Sequence, residues 1–205
     1  MTILSRATLA AAALAAAAAP LAAADAQGVE WQSPRFRVEL DAAGSGAFLT
    51  DGNDLEVRAG LAPALGLAAA WPTAHRYAVS LFGRASRASV KLSQDGSHWS
   101  AGSTRQLDLG AAIERRFRGD VFEARLGGGA SWLSGPQDVA PFRFLNSSTP
   151  HLSGEVGGSV RLHRLLPVYG VVTAQGVHYG GANSTAPEGG SGVVTRIIGG
   201  VRYGR

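Results

Sequence analysis

The sequence predicts an all-β chain, an up-and-down antiparallel transmembrane β-barrel of about eight strands. Three observations lead there. Stretches of period-two alternation put apolar residues on one face and charged residues on the other. Connections alternate between long loops and tight turns. Aromatic residues at strand ends, namely Phe36, Trp71, Tyr77, Phe117, Phe122, Tyr169 and Tyr203, gather at the short-turn end once the strands form a meander. A sheet over a water-shielded core hides its apolar face, whereas a barrel in lipid turns that face outward and keeps polar groups inside. A ring of outward aromatics fits the second arrangement, as an interfacial girdle on the periplasmic side.

The elements follow in order. The first strand, from Pro34, sets Phe36, Val38, Leu40 and Ala42 against Arg35, Arg37, Glu39 and Asp41, and 43–53 is expected to be a loop. The second, from about Asp54, points Leu55, Val57, Ala59, Leu61, Leu65 and Leu67 away from Glu56 and Arg58. Trp71 closes it, and Pro63, which lacks a ladder donor, predicts a bulge or break. After a turn at Pro72–His75, the third strand carries Tyr77, Val79 and Leu81 outward and reverses at Asp95-Gly96, a hairpin signal. The fourth sets Leu107, Leu109, Ala111 and Ile113 against Gln106, Asp108 and Glu114, ending at Phe117. The fifth, after 118–120, sets Phe122, Ala124, Leu126, Ala130 and Trp132 against Glu123, Arg125 and Ser131, and a long loop occupies Ser134–Pro150. The sixth opposes Leu152, Val156, Val160 and Leu162 to His151, Ser153, Glu155, Ser159 and Arg161. The seventh, Val168–Tyr179, is weakly patterned; the expectation is Tyr169, Val171, Val177 and Tyr179 outward. A Gly-rich loop over 180–191 leads to the last strand, with Val193, Thr195, Ile197, Gly199, Val201 and Tyr203 opposed to Arg196, Ile198, Gly200 and Arg202.

That closing strand, ending Gly-Val-Arg-Tyr-Gly-Arg205, resembles the terminal strand of small bacterial outer-membrane β-barrel proteins, the eight-stranded class like outer-membrane proteins A and W. The resemblance implies a place in the outer membrane and delivery by the barrel insertion machinery, which recognises the last strand. Family members usually end on Phe or another aromatic; here the aromatic stands two residues earlier, at Tyr203.

Before the strands, Arg6, the Ala/Leu-rich stretch 7–21 and Ala24-Asp25-Ala26 have the layout of a secretory signal peptide over 1–26. A short leader, 27–33, is expected to precede a barrel domain over 34–205. No Cys follows the cleavage site, and no later window of about twenty residues is apolar throughout. With no cysteine in the chain, disulfides and thiolate metal sites are excluded. The net charge of +4 comes almost wholly from arginine, without a basic run, which argues against a nucleic-acid partner. No cofactor or metal is expected, and the expected state is a monomer.

The charges assigned inward are Arg35, Arg37, Glu39, Asp41, Glu56, Arg58, Asp108, Glu114, Glu123, Arg125, Glu155, Arg161, Arg196 and Arg202. They nearly balance in sign, and an eight-stranded lumen is only wide enough for side chains to fill it. Ion pairs plugging the lumen are therefore the first expectation and a narrow pore the second. His151, Ser153 and Glu155 share one face, the layout of a base, a nucleophile and an orienting carboxylate. The pair is similar to the His-x-Ser of outer-membrane lipid A deacylases, which implies lipid A hydrolysis as a rival activity. Arg84, Arg87, Lys91 and Arg105 are expected at the outer rim, as solvated charge or facing lipopolysaccharide phosphates. The remaining signals are weak: lone His98 and His178, and Asp51–Asp54, which is too incomplete for a calcium loop. The expected role is structural or adhesive, with loops meeting an extracellular ligand and the wall meeting outer-membrane lipid and lipopolysaccharide.

Overall fold

The computed structural model describes residues 32–45, 47–51, 55–73, 76–117, 121–136, 138, 149–179 and 192–204. The signal peptide over 1–26, most of the leader at 27–33, most of the loop at 134–150 and all of that at 180–191 lie outside the described residues. The strands are β1 Arg35–Ser45, β2 Ala47–Asp51, β3 Leu55–Ala59, β4 Ala62–Pro72, β5 Tyr77–Gln94, β6 Ser97–Phe117, β7 Phe122–Ser134, β8 His151–Arg161, β9 Val168–Tyr179 and β10 Gly192–Tyr203. β1 leads into β2 across residue 46, which lies outside the described residues, and β3 into β4 across Gly60–Leu61, so the ten strands make eight antiparallel staves. Their ring order is β1, β4, β5, β6, β7, β8, β9, β10. Closure comes from β1 against β10, in register from Val38↔Tyr203 to Ser45↔Arg196.

Closure explains the alternation. Side chains point to opposite faces in turn, so a closed sheet has an inside and an outside parity on every stave. Outside lie Phe36, Leu40, Leu65, Leu67, Leu109, Ile113, Leu126, Leu152, Val156, Val172 and Ile197, all exposed. Inside lie Arg37, Glu39, Asp41, Asp108, Glu114, Arg125, Glu155, Arg196 and Arg202, all buried. An apolar wall around an ionised interior is the inverse of a water-soluble protein and the arrangement of a barrel that spans lipid.

Two expectations about elements are corrected. Residues 43–45 and 47–51, expected in a loop, are strand: β1 continues to Ser45, and β2 pairs with β3, which pairs with β5. In 43–45 Ala, Gly and Ser carry almost no period-two signal, and in β2 Phe48 and Leu49 stand side by side and break it, so the pairing there is set by the partner strands. In β9 the expected parity is reversed for three of the four residues assigned outward, and the side chain of the fourth, Tyr179, lies outside the described residues. Tyr169, Val171 and Val177 face inward, and Tyr169 is only 4 % exposed. Register aligns it with Arg202, whose guanidinium lies 4.8 Å from its ring centroid. Thr173 and Gln175 share that parity, and these polar residues belong inside.

The break expected near Pro63 falls at Gly60–Leu61, between β3 and β4, where Gly60 N–H donates to the Ser89 carbonyl at 2.8 Å. At the β5–β6 turn, Asp95 and Gly96 have φ of 50° and 77°, the left-handed pair of a two-residue type I′ hairpin. Of the aromatic ring, Phe36, Tyr77, Phe117, Phe122 and Tyr203 are exposed, and Trp71 is half-buried.

A charged substitution should therefore cost stability according to its height on the wall. Leu67→Arg, near mid-belt, is expected to destabilise the lipid-refolded protein by about 2–4 kcal/mol, and Ser97→Arg beside the hairpin turn by at most about 1 kcal/mol. Denaturant titration in vesicles measures both, and equal costs would refute the lipid-facing wall.

Candidate functional site

Inward parity concentrates the polar chemistry of the chain in the lumen, in three tiers. Nearest the aromatic rim, Arg37 Nη1 meets Glu114 Oε1 and Oε2 at 2.7 and 2.6 Å, and the Ser80 hydroxyl donates to Glu114 at 2.8 Å. Beside them Arg202 Nη1 donates to Glu123 at 2.7 Å and Nη2 to the Ser159 hydroxyl at 3.1 Å. Half-buried Arg116 lies 3.6 Å from the same Glu123.

The middle tier is organised by Arg84. Its guanidinium lies 3.5 Å from Glu39, 3.6 Å from Asp41 and 3.3 Å from Glu155. Arg125 bridges the same acids from another stave, 3.4 Å from Glu39 and 2.8 Å from Glu155. The Phe82 ring lies under both cations, its centroid 4.4 Å from Arg125 and 5.7 Å from Arg84. Gly110, one stave over, leaves room for that ring: a Cβ there would sit 2.7 Å from Phe82 Cζ.

In the outer tier Arg196 pairs with Asp108 and donates to Ser86 at 3.0 Å and to Gln175. Gln106 Nε2 donates to Asp108 at 2.8 Å and to Ser131 at 2.9 Å, and the Ser131 hydroxyl donates to Asp108 at 2.6 Å. A cavity of about 800 Å³ beside this tier is lined mostly by outward residues, among them Leu65, Arg87, Arg105, Leu107 and Trp132, together with inward Ser86 and Gln106.

Charge balances across the tiers. Among the described residues, six carboxylates (Glu39, Asp41, Asp108, Glu114, Glu123 and Glu155) and five arginines (Arg37, Arg84, Arg125, Arg196 and Arg202) are buried, with Arg116 as a half-buried sixth cation. Balance matters because one uncompensated ion in a low-dielectric interior costs several kcal/mol.

Several residues lie elsewhere than the sequence suggested. Arg35 is half-exposed and donates to Gln32 at 3.3 Å. Arg161 is spent on the β8–β9 turn, donating to the carbonyls of His163 and Arg164 at 3.0 and 2.9 Å, because its stave ends there. The side chains of Glu56 and Arg58 lie outside the described residues. Conversely Arg84, expected at the rim, is buried at the centre. The signal was present: Tyr77, Val79 and Leu81 outward put Ser80, Phe82 and Arg84 inward by parity.

His151, Ser153 and Glu155 all face the lumen and are buried. The Glu155 carboxylate is engaged by Arg84 and Arg125, and His151 Nε2 has no hydrogen-bond partner. No hydrogen bond joins this histidine to Ser153 or Glu155, so the trio is not assembled as a base, nucleophile and orienting group.

Comparison with known proteins adds the following. No protein-family model and no curated protein sequence matches the chain. Among solved structures it is similar to the outer membrane protein OprG from Pseudomonas aeruginosa, at 13% identity and a TM-score of 0.44, over 85% of this chain and 97% of that one. It is also similar to Neisserial surface protein A, at 12% identity and 0.46, over 85% and 98%. The outer membrane protein Ail of Yersinia pestis matches at 14% identity and 0.47, over 84% and 100%. At these values the barrel rests on its own strand pairing.

The tiers predict that the cost of removing a charge depends on what it leaves behind. Arg84→Met, which strands Asp41 and leaves Glu39 and Glu155 to Arg125 alone, should destabilise the barrel by about 3–5 kcal/mol, and adding Glu155→Gln should recover part of that. Equilibrium unfolding of the two variants in detergent checks it; a double variant less stable than the single would refute the pairing.

Proposed function

We infer that the chain is an outer-membrane barrel of a bacterial envelope, exported by the signal peptide at 1–26 and inserted by the barrel machinery. Its lumen is plugged, and its work is structural or adhesive, done by the segments beyond the apolar wall. One observation carries this reading: the lumen is filled by paired charges in every tier, while the β5–β6 hairpin continues past the wall to an exposed tip at Asp95–Gly96. A filled lumen supports a scaffold rather than a channel, since an ion would have to break buried pairs to pass. A rigid scaffold that holds up exposed segments is where binding function concentrates. Trp99, beside the tip, is 44 % exposed, an apolar surface suited to contact outside the membrane.

On this reading the wall meets outer-membrane lipid and lipopolysaccharide, and the loops meet an extracellular ligand. The hydrolase alternative draws no support from the geometry, because Glu155 is committed to two arginines and His151 is turned into the lumen.

Refolded in detergent, the mature chain should migrate differently on a gel before and after boiling, as closed barrels do. In a planar bilayer it should show no unit conductance steps, whereas an Arg84→Ala/Arg125→Ala variant should show them. Steps in the wild type would overturn the plug. Replacing 93–100 by a two-residue turn should preserve the gel shift and abolish attachment of expressing cells; unchanged attachment would place adhesion elsewhere.

A further inference from the structure

The buried lumen arginines meet carboxylates, and a pair of arginines on the outer wall does not. Arg87 on β5 and Arg105 on β6 are directly opposite in register, and both point outward with exposed side chains. Like charges placed opposite each other across a ladder destabilise it unless something compensates. Within the described residues neither makes an ion pair; Arg87 Nε only donates to the Ser103 hydroxyl at 3.3 Å.

Their height on the wall is informative. Tyr77, in the aromatic rim, and Arg87 lie ten residues apart on β5. That is about 33 Å of strand, or about 25 Å along the membrane normal at a tilt of about 40°, the height of the apolar band of such a barrel. Toward the rim from the pair the outward residues are Ala85 and Leu107; away from it they are Ser89 and Lys91. The two guanidinium groups therefore sit at the headgroup level of the leaflet opposite the aromatic rim. Directly beneath Arg105, Leu107 pairs across the ladder with Trp132 and offers apolar surface for an acyl chain.

We propose that Arg87 and Arg105 clamp the phosphate of a membrane lipid in the leaflet away from the aromatic rim, its acyl chain lying against Leu107 and Trp132. The proposal rests on the membrane reading above. A phosphate between two guanidinium groups takes bidentate hydrogen bonds from each and converts their repulsion into attraction. Arginine suits this better than lysine, because the planar fork fixes the phosphate in place.

The test titrates the refolded protein in neutral detergent with three probes, read by native mass spectrometry: phosphatidic acid, diacylglycerol with the same chains, and inorganic phosphate. The wild type should retain phosphatidic acid and neither of the others. Arg87→Gln/Arg105→Gln should weaken retention by ~10–30-fold, as expected for two arginines at a charged headgroup layer. Lys91→Gln, on the same face four residues farther out, should leave retention unchanged. Arg87→Lys/Arg105→Lys, keeping charge but losing the fork, should fall between and also serves if the glutamine variant fails to fold.

Equal retention by the glutamine variant, or an equal loss in Lys91→Gln, would overturn the clamp. Binding of inorganic phosphate at the same affinity would replace the lipid with a soluble anion and overturn it as well. The boiled and unboiled gel separates the two levels: a variant that shifts yet binds like the wild type sinks only the clamp, and a wild type that never shifts sinks the membrane reading beneath it.

Discussion

Everything in this barrel follows from the β1–β10 seam. Backbone N–H and C=O groups left open at a sheet edge cannot be solvated in lipid, so a spanning sheet has to return to its first strand. The seam from Val38↔Tyr203 to Ser45↔Arg196 does this, joining residues from opposite ends of the chain. Once it forms, each stave has an inside and an outside, and an eight-stave ring leaves a lumen about as wide as the side chains it holds.

That narrowness dictates the chemistry inside. Arg84, Arg125 and Phe82 converge with Glu39, Asp41 and Glu155 in one tier, and each cation reaches acids on more than one stave. Large groups on some staves require small ones opposite, which gives Gly110 its role beside Phe82. The pairs thus act as cross-braces between staves distant in sequence, such as β1 with β6 through Arg37 and Glu114. Outside, the same closure produces the opposite demand. Arg87 and Arg105, exposed on the wall, meet no carboxylate among the described residues, and the proposed counter-charge is the phosphate of a lipid.

The line between what was legible and what was not can be drawn residue by residue. The alternation of β1, β6, β7 and β10 identified most lumen charges, because Arg37, Glu39, Asp108, Glu114, Arg125 and Arg202 sit among apolar neighbours at period two. Arg84 was legible too, had parity been carried forward from Tyr77. Tyr169 was misjudged because a tyrosine at a strand end fits either the interfacial rim or the lumen. Its choice is made by Arg202 across the ladder, a contact between strands whose register the sequence does not display. The strand at 43–45 was hidden because small residues have no facing preference, that at 47–51 because adjacent Phe48 and Leu49 break the alternation, and the end of β8 hid the diversion of Arg161 into its turn.

On the staves where apolar and charged residues alternate clearly, which residues face in and which face out was determined by the sequence alone, since side-chain alternation is a local property of an extended backbone; on the weakly patterned β9 it was not. So were the number of staves and their meander, which the turns and loops punctuate. Tertiary structure alone decided which charge meets which, that the second stave breaks at Gly60–Leu61, and that Arg87 faces Arg105. Those depend on stagger between staves, and stagger is set by closure of the whole ring rather than by any one strand.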